Sequence, residues 1–515
     1  MHLIRSLLLL ITLASVTKAS VYKKPKVHHN LPLLHQNQDH LRTPSNIHAE
    51  DTANARIIGT SGGSLFVDEL GRSRIFRGTN VVYKGFPYVP DIRPDAKPRW
   101  SFNQDDVDIL KRHATNVIRL GVMWPGVEPE RGQYNTTYLD IMTEIVRMCD
   151  EAGIYGVFSE KFCGEGVPSF AAQPRGGPVE YSFNFRHLKL TSFLKFGFPF
   201  PLTSRYPTDD NGIPSREDCE KKAHPLYHGT QAVSEAYQRL YDNYDGLRDS
   251  FIAYWQLVGK TFLPFKNILG YDLINEPWNG NVFKDPSLSN AMVANRKNLQ
   301  PFYDIISAGI SRDPNAIIFF EPVTTVQKTV GFDRAPGGPD FASKDVLAFH
   351  YYESVQKQFN IEETIGFRVE QAAQLGAGSF LGEFEMGWME GGNIDNIVET
   401  SRAADLHFLS YTGWEYTDYI PITGTNNGIR DPKTGLVRPD MAKSTADRLA
   451  GVTEIRTNFG LHFPDGHSLD VSGGNGGKFV TAVKEEDGII HILPQESGKE
   501  SPSIGEEVTV VLAKL

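Results

Sequence analysis

Cysteine is scarce in this chain, with three among 515 residues. That excludes a small disulfide-built scaffold and a cysteine-rich metal domain. Cys163 and Cys219 flank a polar region rich in Pro and Gly, and a bridge between them is expected. Cys149 sits in the apolar pattern of a helix and reads as a buried thiol. Positive charge is also short: 52 Lys and Arg face 62 Asp and Glu, for a formal net charge of -10. With no long basic block to offset this, a nucleic-acid partner is not expected. Apolar runs of bilayer-spanning length are missing. The run Leu7 to Val16 is too short to span; with Arg5 before it and Thr17-Lys-Ala19 after it, residues 1–19 read as a secretory signal peptide. The expected location is therefore outside the cell or in the endolysosomal lumen. No helix opens on a Gly-rich phosphate loop, no metal-ligand spacing repeats, and no Ser or Cys elbow appears, so neither cofactor nor metal is expected. The histidines His28, His29, His35, His40 and His48 are scattered through an aperiodic segment, 20–55, read as an extended polar leader.

What the sequence does have is strands alternating with helices. After a hairpin at Gly62 to Gly71, strands are expected at Ile75–Val82, Asn116–Leu120, Ile154–Phe158, Ile268–Asn275, Ala316–Glu321, Val346–Tyr351, Ser379–Glu383 and Ser410–Trp414. Helices are expected at Gln104–His113, Thr137–Ala152, Thr230–Phe262 (one or two), Ser287–Ser311, Ile361–Leu375, Ile394–Phe408 and Met441–Ala450. Eight strands, each followed by a helix, predict an α/β fold of the (β/α)8 TIM-barrel type with large loop insertions over 56–450. A doubly wound open sheet is the alternative. Beyond Gly451 the short runs His467–Val471, Phe479–Val483, Ile489–Leu493 and Val508–Leu512 predict a small antiparallel β domain over 451–515, short for a full two-sheet sandwich.

The stretch Ile268-Leu-Gly-Tyr-Asp-Leu-Ile-Asn-Glu-Pro-Trp278 organises the chemistry. An apolar strand ends in Glu276, and Pro277, which has no N–H to donate, stops the ladder. In a barrel, that lip is where catalysis takes place. Strand ends would bring Arg119, Asn275, Glu276, His350, Tyr352, Glu383 and Trp414 together. Two carboxylates with Arg, His, Tyr and Trp suit glycoside hydrolysis, in which one protonated carboxyl assists departure and one carboxylate attacks. Glu385 shares the strand face of Glu383 and competes for its role. Trp388 and Trp414 read equally as core or as sugar platforms.

Several segments together resemble the endoglycoceramidases of glycoside hydrolase family five. They are Gly78-Thr-Asn-Val-Val-Tyr-Lys-Gly85, Asn116-Val-Ile-Arg-Leu-Gly-Val-Met-Trp124, Glu160-Lys-Phe-Cys-Gly-Glu-Gly-Val-Pro168 and Gly270 to Trp278. Phe349-His-Tyr-Tyr352, Phe380-Leu-Gly-Glu-Phe384, Thr412-Gly-Trp-Glu-Tyr416 and Pro421-Ile-Thr-Gly-Thr-Asn-Asn-Gly428 complete the set. The resemblance implies Glu276 as acid/base, Glu383 as nucleophile, retention of configuration, and substrate contacts at Lys84, Arg119, Asn275, His350, Tyr352 and Trp414. The chain departs from the family at the third strand, where an Asp-x-His-Gln-Asp segment usually precedes Ser-Glu-Lys-Phe-Cys. Here Gly153-Ile-Tyr-Gly-Val-Phe-Ser159 runs directly into Glu160, and the polar rim of that strand is expected to be lost.

The function expected is cleavage between oligosaccharide and ceramide in glycosphingolipids by a secreted, monomeric retaining enzyme. The alternatives are an endo-glycanase acting on soluble polysaccharide, or a weakly active or inactive glycolipid-binding variant. The apolar insertion Leu188–Pro207 is expected to face the lipid chains or touch a membrane or micelle surface. Asn135-Thr-Thr137 is a glycosylation acceptor.

Overall fold

The computed structural model describes residues 55–96, 100–161, 166–172, 231–310, 316–324, 331–352, 360–385, 394–417 and six strands between 445 and 514. The expected signal, leader, Cys163–Cys219 bridge, Leu188–Pro207 insertion, Trp388 and the 421–428 segment lie outside these residues.

Three short strands, β1 (Ile57–Thr60), β2 (Phe66–Asp68) and β3 (Ser73–Arg74), form an antiparallel sheet ahead of the barrel. The barrel strands are β4 (Arg77–Val81), β5 (Val117–Gly121), β6 (Tyr155–Lys161), β7 (Ile268–Asn275), β8 (Ile318–Phe320), β9 (Asp345–Tyr351), β10 (Gly378–Phe384) and β11 (Ser410–Gly413). They close in the order β10-β11-β4-β5-β6-β7-β8-β9, every pair parallel. The expected TIM barrel is present and the open sheet is not.

Its strands are apolar because both faces are covered. Val117, Tyr155, Val157, Leu269, Phe319, Val346, Ala348 and Phe380 pack with Phe66 and Phe76 into one buried cluster. A larger cluster fills the space between the strands and the surrounding helices. Gly78 lets β4 approach β5, since a Cβ there would lie 1.7 Å from the Val117 carbonyl oxygen. Cys149 is a buried free thiol, as expected. Among the described residues no helix is long and apolar enough to cross a membrane.

The region 230–262, expected as one or two helices, forms two, Gln231–Tyr241 and Leu247–Phe262, with Asn243, Asp245 and Gly246 at positive φ between them. Two expectations change. The third barrel strand reaches Lys161 rather than stopping at Phe158, because it pairs with β5 as far as Ser159 and with β7 as far as Asn275. The helix expected at Met441–Ala450 is replaced by a strand, β12 (Thr445–Leu449), antiparallel to β13 (Val452–Arg456). Only two residues separate Leu449 from Val452, a hairpin spacing, and strand pairing outweighs a helix pattern weakened by Ser444, Thr445 and Asp447. β13 pairs in turn with β16 (Ile489–Pro494), which pairs with β15 (Phe479–Lys484). β14 (His467–Gly473) pairs with β17 (Val508–Lys514). The antiparallel C-terminal strands are thus present, and β12, which precedes residue 451, pairs with them.

Candidate active site

One buried guanidinium lies at the centre of the barrel's C-terminal end. Arg119, on β5, donates from Nε and Nη2 to Asp272 Oδ2, from Nη1 to Glu383 Oε1 at 2.7 Å and Asn80 Oδ1 at 3.1 Å. Its Nη2 also reaches Asn275 Oδ1 at 2.8 Å and Glu321 Oε1 at 3.1 Å. Asn80, on β4, is placed by donating to the Gly382 and Gly413 carbonyls, which ties β4 to β10 and β11.

Strand irregularities explain how so many groups converge. Opposite β6, β7 carries two extra residues: Ile268 to Gly270 faces Gly156 to Val157, and Asp272 to Asn275 faces Ser159 to Lys161. A regular strand would send residues three apart to opposite faces, whereas a bulge re-aims one of them. Asp272 and Asn275 therefore both reach Arg119. A similar shift between Leu381 and Glu383 on β10 puts Glu383 opposite His350 of β9. Gly382 permits this approach, since a Cβ there would meet His350 Nε2 at 3.1 Å.

Glu276 follows β7 with φ at 44°, a left-handed backbone that costs a non-glycine residue about 1–2 kcal/mol. Its N–H donates to Glu321 Oε2 at 2.9 Å, and its Oε1 lies 2.8 Å from His350 Nδ1. Glu383 is held from both sides, by Arg119 on Oε1 and by the Tyr352 hydroxyl, which donates to Oε2 at 2.7 Å. His350 Nδ1 is 3.6 Å from Glu383 Oε2, and its Nε2 is 3.2 Å from Glu321 Oε1 without hydrogen-bond alignment. Glu276 is the more open carboxylate, with its side chain 27% exposed against 4% for Glu383.

Burial alone would lower the His350 pKa, but Glu321 and Glu383 outweigh it, and with the contacts to Glu276 and Glu321 they raise it to about 10. Three glutamates, Glu276, Glu321 and Glu383, thus favour the protonated ring. Burial pushes Asp272 up to about 7 against the opposing pull of Arg119. Burial and then Glu383 raise the Tyr352 hydroxyl, so it stays a donor to that carboxylate.

Ligand atoms of Glu276, His350 and Glu383 lie within 4.8 Å of one another, close enough to consider a metal. Both Glu383 oxygens already accept hydrogen bonds, from Arg119 and from Tyr352.

Among the expected site residues, Arg119, Asn275, Glu276, His350, Tyr352 and Glu383 form this single network. Trp414, just after β11, packs with Val82, Met123, Tyr88 and Tyr352, and Lys84 Nζ lies over its ring at 4.7 Å. Glu385 lies beyond the end of β10, bridged through its backbone to Trp414. Asp272, Glu321 and Asn80 were not anticipated. The signals were there: Asp272 is a charge inside an apolar strand, and Glu321 is an acid at a strand end, like Glu276 and Glu383.

Comparison with known proteins places the chain in a family. Residues 227–419 match the family model described as Cellulase (glycosyl hydrolase family 5). An endoglycoceramidase of Cyanea nozakii is 38% identical over 362 residues, covering 68% of this chain and 68% of that protein. One of Hydra vulgaris is 37% identical over 367 residues, covering 69% of this chain and 66% of that protein. Among solved structures, endo-glycoceramidase II from Rhodococcus sp. in its ganglioside GM3 complex aligns over 88% of this chain and 100% of its own, with TM-score 0.61 and 17% identity. A closed eight-stranded barrel with its carboxylates at the strand ends, and this degree of identity, make the chain a glycoside hydrolase that belongs to the endoglycoceramidase family.

Proposed function

We propose that this enzyme cleaves the bond between oligosaccharide and ceramide in glycosphingolipids with retention of configuration. Glu276 is the acid/base and Glu383 the nucleophile. The observation that carries the reading is the placement of these two carboxylates, with oxygens inside 4.8 Å of each other. Retaining enzymes hold their carboxyl groups about 5–5.5 Å apart, whereas inverting enzymes need about 6.5–9.5 Å to admit a water. The surroundings divide the roles. Arg119 and Tyr352 hold Glu383 as an anion aimed at one point. Glu276 is more open to solvent and to a departing oxygen.

In the first step Glu383 attacks the anomeric carbon while Glu276 gives its proton to the ceramide oxygen. In the second, Glu276 takes a proton from water, which releases the sugar. Asn275 serves the sugar 2-hydroxyl, and Trp414 with Lys84 supplies a face and a cation to the sugar. The lipid as substrate follows the endoglycoceramidase relatives, and Leu188–Pro207 is proposed as its apolar contact. The signal-like pattern of residues 1–19 supports a secretory route, with Asn135 as the proposed glycosylation acceptor.

The test is incubation with a glycosphingolipid, with products resolved as ceramide and oligosaccharide and the first-formed anomer read by NMR. Intact oligosaccharide in the retained configuration is expected. Glu276→Gln and Glu383→Gln should each lower turnover by several orders of magnitude at near-parental melting temperature. Inverted product, stepwise release of monosaccharides, or near-normal turnover by Glu383→Gln would overturn the proposal.

A further inference from the structure

We infer that Glu321, a third buried carboxylate at the end of β8, is the positioning residue for the acid/base Glu276. The inference rests on the assignment of Glu276 made above.

Glu321 is 2% exposed, yet it is not spent on one structural ion pair. Its Oε2 accepts the backbone N–H of Glu276 at 2.9 Å, and its Oε1 lies 3.1 Å from Arg119 Nη2 and 3.2 Å from His350 Nε2. It therefore touches both things that aim the Glu276 carboxyl: the left-handed backbone beneath it and the imidazolium beside it. β7 ends at Asn275, so ladder pairing no longer fixes residue 276. A backbone at φ 44° persists only where its surroundings over-determine it. The bond from its N–H to the Glu321 carboxyl holds that backbone amide.

The anchor is itself fixed. The buried Tyr303 hydroxyl donates to the Glu321 carbonyl at 2.8 Å and accepts its N–H at 3.2 Å, and the Val323 N–H donates to Asn295 Oδ1 at 2.9 Å. Helical side chains thus hold the segment after β8 from behind while its carboxylate reaches forward. On the nucleophile side Glu321 is dispensable. Arg119 keeps Asp272, Asn80 and Asn275 without it, and Glu383 keeps Arg119 and Tyr352. The effect of Glu321 therefore falls on the proton donor.

That asymmetry has a kinetic signature. A ceramide alkoxide is a poor leaving group and needs the proton from Glu276. A dinitrophenolate leaves without one. For both substrates kcat/KM reports the first step, so the ratio of the two isolates acid assistance, which contributes about 10²–10⁴-fold. In Glu321→Ala, kcat/KM for glycosphingolipid should fall about 100-fold, the size expected for an acid misplaced by about 1 Å. For the dinitrophenyl glycoside of the same sugar it should fall less than about 5-fold, as for a step in which no general acid takes part. Glu321→Gln keeps an acceptor for the Glu276 N–H and should show the same ratio pattern with a smaller loss. Should Glu321→Ala not fold, Glu321→Gln gives the ratio alone. Equal losses on both substrates, or no loss on either, would overturn the inference. Glu276→Gln, run alongside, keeps the two claims apart. If it spares the poor leaving group, the acid assignment itself is wrong; if it does not, a neutral result at Glu321 refutes only the positioning role.

Discussion

Replacing Arg119 with Met should turn a stable barrel into one that survives only in acid. The guanidinium makes six hydrogen bonds, and three of its partner residues are carboxylates with side chains 1–4% exposed. Removing one partner of a buried pair costs about 3–5 kcal/mol, because the other charge stays buried and uncompensated. Three carboxylates share this loss, with His350 beside them among the described residues. The deficit should therefore approach the whole of a typical folding stability, about 5–15 kcal/mol. Its pH dependence has a definite sign. Asp272 is already pushed up to about 7 by burial, and losing Arg119 removes a charge that lowers it. A group whose folded pKa lies above its unfolded value adds stability at low pH and loses it as pH rises. The gap between parent and variant should thus be widest near neutrality and close as pH falls toward about 4, the unfolded carboxylate range. Arg119→Lys keeps one charge but cannot span five partners, so it should unfold between the two. The assay is urea unfolding followed by tryptophan fluorescence at several pH values. Two results would refute the reasoning: an Arg119→Met variant within about 1 kcal/mol of the parent, or a deficit that does not shrink on acidification.

Two further outcomes follow from the same centre. His350 is raised to about 10 and Asp272 to about 7, both above their ordinary values, so both contributions are lost as pH rises: Asp272 between about 4 and 7, His350 between about 6.5 and 10. Unfolding free energy should fall from pH 7 to pH 10, and His350→Gln should flatten that slope; an unchanged slope would exclude His350 as its source. Ser159 is fully buried, and its hydroxyl has no hydrogen-bond partner among the described residues. Ser159→Ala should be neutral or stabilising by up to about 1 kcal/mol, since an unmet buried hydroxyl is costly, and a loss above about 1.5 kcal/mol on denaturant titration would show that it is satisfied.

The barrel was legible because parallel strands buried on both faces read as short apolar runs, and seven of them fell within a few residues of their expected positions. The eighth, β6, was cut short because Ser159, Glu160 and Lys161 are polar, yet pairing with two neighbours carries the strand through them. At the site, the residues bearing familiar motifs were legible: Glu276 beside its proline, Glu383 before its phenylalanine, the His-Tyr-Tyr run of β9. Asp272 and Glu321 were not, because their roles depend on convergence in space. Asp272 shares Arg119 with Asn275 only through a bulge that no periodicity shows. The antiparallel β12 was missed for a related reason: its helix-like spacing is local, whereas its strand is made by its partner.

The departure expected at the third strand bears on how the site divides its labour. Every group in the charge network comes from β4, β5, β7, β9 and β10 or from the residue after β8, β9 or a neighbouring strand: Asn80, Arg119, Asp272, Asn275, Glu276, Glu321, His350, Tyr352 and Glu383. Among the described residues, no β6 side chain enters it. What β6 supplies is register, for it pairs with β7 up to Asn275, the residue before the acid, and its spacing against β7 sets the bulges that turn Asp272 and Asn275 together. Among the described residues, the contacts that aim the two carboxylates come from the other strands. Charge placement fixes the rate of the chemical step, while rim contacts made equally to substrate and transition state act on binding. A shortened third-strand segment can therefore weaken the hold on sugar and leave the reacting pair assembled, because the strand that carries Glu276 takes its geometry from backbone pairing that this chain retains.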